Sequence, residues 1–325
     1  MFKKKPEFEL MNQMGKQGIP FLFVIDFECE FPVVFHLNEA AEQGIFFDFR
    51  GVSNTSRQVS MDLPPLQFVK TPVDFATYRK AWINVMQGLN FGNSYLLNLT
   101  FPTEISINRT LEQIFHQSTA PYRLLFKDKF TVFSPESFIR IHDGIISSFP
   151  MKGTIDANLP GAEDILLNDS KELAEHRTIV DLIRNDLSMV ADAVRVKRFR
   201  YIESIKTNQR NLLQASSEIS GNLPADWQSQ LGDILFTLLP AGSISGAPKQ
   251  KTVEIIQQTE TGSRGYYTGV CGIFDGNSLD SAVMIRFIEN QQGKMIFRSG
   301  GGITVNSEAE KEYRELIDKV YVTAV

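Results

Sequence analysis

One lysine, Lys152, lies between a proline-containing turn and a glycine in residues 149–154, which read FPMKGT. Proline lacks an amide donor and glycine weakens helical order, so this segment predicts a strand end or a tight turn. A lysine in a turn is usually a solvated surface charge. A lysine held in a pocket can instead act as a nucleophile, because desolvation lowers its pKa. The segment alone leaves both interpretations open.

Two pairs of glutamates form a second group of candidates. Glu172 and Glu175 fall in one predicted helix, and Glu312 and Glu315 fall in another. Residues three apart share a helix face, so each pair projects both carboxylates in one direction. A single pair of this kind is usually solvated helix surface. Two pairs from distant helices could converge on Mg²⁺, which takes a few carboxylate oxygens and often bridges to an anionic ligand.

Glu136 and Arg286 are candidates for acid catalysis and for anion binding. Glu136 leads into a predicted strand and could be a general acid or an ordinary surface carboxylate. Arg286 lies in the alternating segment 281–288, which predicts a strand. A buried arginine needs an acidic partner, and the carboxylate of a ligand would serve.

Two glycine-rich segments bear on anion binding. Gly300, Gly301 and Gly302 follow a predicted strand and would let backbone amides approach an anion, although an ordinary turn would also use them. Residues 242–249 contain glycine, serine and lysine without the Gly-Lys-Ser/Thr order of a phosphate loop. The sequence therefore predicts no phosphate loop.

Apolar periodicity predicts the elements that position these residues. Strands are expected at 20–25, 44–49, 95–100, 122–126, 130–133, 138–142, 144–149, 194–199, 203–205, 212–220, 269–274, 281–288 and 294–299. Helices are expected at 74–88, 111–115, 171–189, 227–238, 250–260 and 307–321, and Asp169 or Ser170 can cap the third of them. This order predicts an α+β fold in which mostly antiparallel β-sheets pack as a central sandwich with helices outside them.

Composition narrows the functional class. With 325 residues, of which 42% are apolar, the chain can bury a large core as one large domain or two smaller ones. A net charge of −5 without a basic block argues against a nucleic-acid surface. Two cysteines are too few for a disulfide framework. No stretch has the length and apolarity of a signal peptide or a membrane span, so we expect a cytoplasmic protein.

From about residue 91 to the C-terminus, the chain resembles the chorismate-utilising enzymes. This family contains anthranilate synthase component I, aminodeoxychorismate synthase component I, and the isochorismate and salicylate synthases. The resemblance is carried by ordered segments at 92–99, 134–136, 150–154, 171–176, 180–187, 239–249, 264–269 and 300–303. It implies a single chorismate-binding catalytic domain over 1–325, with a shortened N-terminal part over 1–90 and a core that carries the motifs over 91–325.

The resemblance also implies roles for individual residues. Glu175 and Glu315 would ligate Mg²⁺ directly, and Glu172 and Glu312 would contact it through water. The metal would bind the ring carboxylate of chorismate. The remaining substrate-binding positions, which include those for the carboxylate of the enolpyruvyl arm, would be Thr154, Gln214, Ser243, Tyr267, Arg286, Gly301 and Gly302.

The position of Lys152 divides this family. Anthranilate synthases and isochorismate-forming members usually carry a small residue there, whereas aminodeoxychorismate synthases typically carry lysine. The implied reaction is attack by neutral Lys152 at C2 of chorismate while Glu136 protonates the departing C4 hydroxyl, followed by addition of ammonia at C4. The product would be 4-amino-4-deoxychorismate, a precursor of p-aminobenzoate and folate. The alternatives are anthranilate synthase component I and a catalytically silent chorismate-binding subunit.

Two positions depart from the family pattern. Leu96 stands where isochorismate and salicylate synthases place a lysine base and where ammonia-using members commonly have glutamine. Gln214 replaces a frequent histidine and cannot usefully donate a proton, so the acid role falls more heavily on Glu136.

The resemblance bears on partners and regulation as well. The N-terminal part carries no tryptophan-binding motif, so feedback inhibition by tryptophan is not expected. The sequence contains no glutaminase segment with a catalytic Cys and His, so ammonia would come from solution or from a separate glutamine amidotransferase. In the family, that partner docks near residues 181–186.

Overall fold

The computed structural model describes residues 2–55, 63–206 and 211–322. Its strands, in chain order, are β1 (Phe21–Ile25), β2 (Val33–His36), β3 (Ile45–Phe49), β4 (Val52–Ser53), β5 (Phe68–Thr71), β6 (Leu96–Ile107), β7 (Tyr122–Phe126), β8 (Phe130–Ser134), β9 (Ser137–His142), β10 (Ile145–Ser148), β11 (Met151–Asp156), β12 (Asp192–Lys206), β13 (Asn211–Asn222), β14 (Gly246–Ala247), β15 (Val270–Phe274), β16 (Leu279–Val283), β17 (Phe287–Gln291) and β18 (Lys294–Ile303).

Helices surround these strands. In chain order they are α1 (Pro6–Lys16), α2 (Phe75–Asn90), α3 (Leu111–Gln117), α4 (Ala162–Asn168), α5 (Ser170–Leu187), α6 (Leu231–Leu238), α7 (Gly242–Ser245), α8 (Lys249–Thr259) and α9 (Ala309–Asp318), and a 3₁₀ turn at Trp227–Gln230 precedes α6. Asp169 caps α5, because its side chain accepts a hydrogen bond from the backbone N–H of Glu172.

Two large sheets carry the fold, and their strand pairs are antiparallel throughout the described part of the chain. The first sheet has the order β11-β13-β10-β9-β16-β15-β1-β2, with β12 also beside β13. The second has the order β14-β6-β18-β17-β8-β7-β3-β4, with β5 beside β6. Strands from the N-terminal part join both sheets, since β1 pairs with β15 and β3 pairs with β7. The expected α+β class with antiparallel sheets is confirmed.

The predicted strand at 281–288 is wrong in one respect that matters for function. The chain forms β16 in the first sheet, leaves it after Val283, and enters β17 in the second sheet at Phe287. Arg286 lies in this crossing with a φ of 53°, a left-handed conformation that ends regular strand geometry. Arg286 is therefore a residue of the junction between the sheets rather than of a strand.

Other differences concern the length and continuity of elements. The strands expected at 194–199 and 203–205 form the single strand β12, whose register against β13 shifts three times. The helix expected at 227–238 is a 3₁₀ turn followed by α6. Helices α1 and α4 lie outside the predicted helices. Helix α1 packs closely on the 3₁₀ turn, because a Cβ at Gly15 would lie 2.0 Å from the carbonyl oxygen of Gln228.

The glycine run lies inside a strand rather than in a turn. Strand β18 pairs with β6 so that Gly300, Gly301 and Gly302 face Thr100, Leu99 and Asn98. A Cβ at Gly300 would lie 2.6 Å from Cγ2 of Thr100, so a larger residue would push the two strands apart. Glycine is required here for the close approach of two strands.

A buried ion pair fixes the end of β6 that carries the site. Arg264, which is 2% exposed, donates from Nε and Nη2 to the two carboxylate oxygens of Glu260 at 2.9 and 2.7 Å. It also donates to the carbonyl oxygens of Ile244 at 2.9 Å and of Asn98 at 2.6 Å. Glu260 in turn accepts from the backbone N–H of Thr100 at 2.8 Å. One pair thus joins the end of α8, helix α7 and strand β6.

Arg264→Met is expected to lower the free energy of unfolding by about 3–5 kcal/mol, because it leaves the buried carboxylate of Glu260 without its cation. Urea denaturation of the variant and the wild-type protein measures this loss. Lys251→Ala in α8 is the control, since its ion pair with Glu254 is exposed and is worth about 1 kcal/mol or less. Equal stability of the two variants would contradict the structural role of Arg264.

Candidate active site

A cavity of about 660 Å³ opens where the two sheets meet. Most of the predicted site residues line it: Glu136, Lys152, Glu175, Gln214, Ser243, Tyr267, Arg286 and Gly302. The predicted residues Thr154, Glu172, Gly301, Glu312 and Glu315 are not in its lining. A pocket of this size suits a small molecule of one ring and a few substituents.

Lys152 points into this cavity from strand β11. Its side chain is 31% exposed, and its Nζ lies 2.7 Å from Oε2 of Glu175. Burial, the largest single effect, lowers its pKa, but the charges of Glu175, Glu315 and Glu172 together outweigh burial and raise the pKa of Lys152 above its ordinary value. Lys152 is therefore a pocket residue and an ammonium in this arrangement, so it must lose a proton before it can attack.

Thr154 lies two residues beyond Lys152 but does not share its wall. Gly153 between them has a φ of 82°, and the pairing of β11 with β13 shifts register between Met151 and Thr154. This irregularity breaks the usual alternation, in which residues two apart face the same side. Thr154 lies directly opposite the lining residue Gln214 in the β11–β13 pair, but it is exposed and does not itself line the cavity.

The four predicted metal ligands approach the site from two helices. Glu175 pairs with Lys152, and Glu315 pairs with Lys319 at 2.6 Å. Glu312 and Glu315 both lie against Gly301, since a Cβ there would be 3.6 and 3.7 Å from their oxygens. The α5 and α9 carboxylates therefore flank the same end of the pocket.

These carboxylates suit a hard divalent cation by their chemistry, because Mg²⁺ prefers carboxylate oxygens. Within the described ranges, however, no group of three or more His, Cys, Asp and Glu side chains is close enough to hold a metal ion. Lysine ammonium groups contact Glu175 and Glu315 instead. The donor set fits Mg²⁺ by its chemistry, and binding would require these carboxylates to move closer together and to hold the metal beside or in place of the lysines.

Glu136 follows strand β8 and is held by Ser243. The hydroxyl of Ser243 donates to Oε1 of Glu136 at 2.5 Å. Burial raises the pKa of Glu136, and this effect exceeds the opposing effects of the Ser243 hydrogen bond and of the charges on Arg286 and Lys319. Glu136 thus keeps its proton to a higher pH than an ordinary glutamate, as a general acid needs.

Tyr267 and Arg286 stand together at the junction between the sheets. Burial raises the pKa of Tyr267 to about 12, so its hydroxyl remains a hydrogen-bond donor. Arg286 donates from Nε to the hydroxyl of Tyr321 at 3.1 Å. A neutral phenol beside a guanidinium is suited to binding a carboxylate.

Lys319 is a pocket residue that the sequence reasoning did not single out. It follows α9, donates to the carbonyl oxygen of Gly300 at 2.9 Å, and pairs with Glu315 four residues earlier. The four-residue spacing between Glu315 and Lys319 places both side chains on one helix face, and this pattern could have indicated that Lys319 lies near the predicted metal ligand.

Ser243 is positioned by a second ion pair beneath the pocket. Nζ of Lys249 lies 3.0 Å from Oδ2 of Asp186 and donates to the carbonyl oxygen of Leu238 at 2.8 Å. A Cβ at Gly242 would lie 2.9 Å from the same Asp186 oxygen. The pair therefore fixes α5 against the start of α7, which carries Ser243.

None of the helices in the described ranges is long and apolar enough to cross a bilayer.

Glu136→Gln is expected to raise the free energy of unfolding at neutral pH. The pKa of Glu136 is raised in the folded protein, so the ionised carboxylate destabilises the fold above that pKa. This penalty disappears as the pH falls below the ordinary value of 4.5, where the side chain is protonated in both states. Urea denaturation across this pH range should show the advantage of the variant shrinking as the pH falls.

Glu42→Gln is the control for this experiment, because Glu42 is exposed. Its stability relative to the wild type should not show the same trend. A stability difference for Glu136→Gln that does not depend on pH would contradict the raised pKa.

Comparison with known proteins identifies the family of this chain. The model of the chorismate binding enzyme family matches residues 36–324. An uncharacterized PabA-like protein of Haemophilus influenzae is 57% identical, over 97% of this chain and 95% of its own length. Aminodeoxychorismate synthase component 1 of Klebsiella aerogenes is 33% identical over 75% of this chain, which spans 56% of that protein. The crystal structure of anthranilate synthase component I from Streptococcus pneumoniae gives a TM-score of 0.65 at 27% identity, covering 80% of this chain and 60% of that one. The chain belongs to the family of chorismate binding enzymes.

Proposed function

We propose that this protein is an aminodeoxychorismate synthase component I, which converts chorismate and ammonia to 4-amino-4-deoxychorismate. The observation that carries the proposal is the position of Lys152, whose ammonium lies in the pocket with the general-acid candidate Glu136. A lysine at this place supplies a nucleophile that can form a covalent intermediate. The family membership supports chorismate as the substrate.

The reaction uses Lys152 and Glu136 in turn. The neutral amine of Lys152 attacks C2 of chorismate, the ring double bond shifts, and the C4 hydroxyl leaves as water with the proton of Glu136. Ammonia then adds at C4, the double bond returns, and the Lys152 nitrogen departs from C2. Two easier displacements replace one difficult displacement, which is the advantage of covalent catalysis.

The anionic groups of the substrate need partners that the pocket offers. The carboxylate of the enolpyruvyl arm would be held by Arg286, Tyr267 and the backbone amides near Gly301 and Gly302. Gln214 would lie near C4, where it can form hydrogen bonds but leaves proton donation to Glu136.

The charge balance around Lys152 explains why a metal belongs to this proposal. Bound Mg²⁺ would offset the charge of the ring carboxylate, with Glu175 and Glu315 as ligands and Glu172 and Glu312 near them through water. Lys152 is charged because carboxylates surround it. Occupation of those carboxylates would favour its neutral form.

The source of ammonia is solution or a separate glutamine amidotransferase subunit. Asp181 and Arg184 on α5 are exposed and offer a surface near the docking region that the family resemblance implies. We expect the enzyme to act in the cytoplasm, in the synthesis of p-aminobenzoate for folate.

Incubation with chorismate, Mg²⁺ and an ammonium salt is expected to yield 4-amino-4-deoxychorismate, identified chromatographically. The same mixture with a chelator in excess over Mg²⁺ should lose this product. Anthranilate as the main product would replace the proposal with anthranilate synthase. Absence of turnover even with an added amidotransferase would indicate a catalytically silent chorismate binder.

Lys152→Ala is expected to lower kcat for aminodeoxychorismate formation roughly 100-fold or more, because the covalent route is lost. Lys152→Arg should be equally impaired, since a guanidinium keeps the positive charge but cannot become a neutral nucleophile. Lys294→Ala is the control, because Lys294 is exposed and its ion pair with Glu104 lies at the surface. Substantial activity in Lys152→Arg would show that Lys152 acts as a charge and not as a nucleophile.

A further inference from the structure

Asn98 in strand β6 presents an uncommitted carboxamide to the pocket. It lines the cavity beside Leu96 and Gly302. Its Oδ1 is buried without a hydrogen-bond partner in the part of the chain that the structure describes, and a half-turn of the carboxamide places the Nδ2 donor at the same position. Buried polar groups are nearly always hydrogen-bonded, so an amide left unpaired in a ligand pocket indicates a missing ligand contact.

The backbone of Asn98 is fixed on both sides. Its carbonyl oxygen accepts a hydrogen bond from Nη2 of Arg264 at 2.6 Å, and the residue pairs with Gly302 across the β6–β18 ladder. Two residues further along β6, the backbone N–H of Thr100 donates a hydrogen bond to the carboxylate of Glu260. The carboxamide therefore projects from a rigid base, which lowers the entropic cost of ordering it on a ligand.

The surroundings of Asn98 identify the end of the substrate that it faces. Its Oδ1 lies 2.9 Å from the position of a Cβ at Gly300, so the amide lies over the glycine run. Arg264, which binds its carbonyl oxygen, also approaches Oγ1 of Thr268 at 3.4 Å, next to Tyr267. Asn98 thus lies against the glycine run, and Tyr267 lines the same cavity.

We propose that Asn98 is a specificity-determining residue that donates a hydrogen bond from Nδ2 to the enolpyruvyl carboxylate of the substrate. The inference rests on the proposed function for the identity of the substrate. An amide N–H binds a carboxylate oxygen without adding charge to a pocket that already holds Lys152, Arg286 and Lys319. Because Leu96 on the same face of β6 is apolar, Asn98 supplies the polar side chain of this strand in the pocket.

Two substitutions distinguish this contact from a structural role. Asn98→Leu removes the donor at similar volume, and chorismate is expected to bind about 10- to 100-fold more weakly, the value of a hydrogen bond to a charged group. Asn98→Asp should weaken binding further, because it sets a carboxylate against the carboxylate of the substrate. Titration calorimetry with chorismate and Mg²⁺, without ammonium, measures both affinities.

Thr100→Val is the matched control. Thr100 is buried on the same face of β6 but does not line the pocket, so this variant should bind chorismate like the wild-type protein. Thermal unfolding of all three variants checks that each is folded. Wild-type affinity in Asn98→Leu would overturn the proposal. Tighter binding by Asn98→Asp than by Asn98→Leu would also overturn it, because aspartate can accept a hydrogen bond from a hydroxyl of the substrate but repels its carboxylate.

Binding and turnover separate this inference from the proposed function. If the wild-type protein binds chorismate and the variants follow the predicted order, Asn98 has the proposed role whichever product forms. If the wild-type protein binds chorismate but makes no aminodeoxychorismate, only the proposed function fails. If it does not bind chorismate, both are overturned.

Discussion

The buried pair of Arg264 and Glu260 is the interaction on which the geometry of the site depends. Its hydrogen bonds hold the carbonyl oxygens of Asn98 and Ile244 and the backbone N–H of Thr100. Helix α7, which it holds through Ile244, also carries the serine that binds the general-acid candidate. Both partners are almost fully buried, at 2% and 6% side-chain exposure, so neither can turn to water if the other is lost. One buried ion pair thus fixes the positions of β6 and α7, which both contribute residues to the pocket.

Two opposite electrostatic effects operate within that pocket. Burial dominates at Glu136 and raises its pKa, which favours the protonated form that a general acid would use. Burial lowers the pKa of Lys152, but the neighbouring carboxylates together outweigh it and raise that pKa, which favours the ammonium form. On the proposed function, the shift at Glu136 therefore favours the form that reacts, whereas the shift at Lys152 opposes it. Any occupant that reduces the negative charge near Glu175 moves Lys152 toward its reactive form.

The sequence predicts the elements and many of the site residues, but not how the chain crosses between the sheets. Alternation of apolar residues is the same for one long strand and for two short strands joined by a left-handed residue, so Arg286 was expected within a strand. The register shift at Gly153 is also invisible in the apolar pattern, and Thr154 beyond it does not line the pocket. Asn98 lies in an apolar strand, where only the surrounding tertiary structure distinguishes a pocket amide from a surface one.

On the proposed function, Lys152 and a divalent metal would share the carboxylate of Glu175, and this sharing would link the two halves of the proposed reaction. The Lys152 ammonium lies 2.7 Å from Oε2 of Glu175, and a bound cation would weaken the attraction of that carboxylate for the ammonium. Lys319 stands in the same relation to Glu315 at 2.6 Å. In the structure these ammonium groups offset the charge of Glu175 and Glu315. On the proposed function, a cation held by these carboxylates would favour the neutral amine of Lys152, which is the form that attacks the substrate.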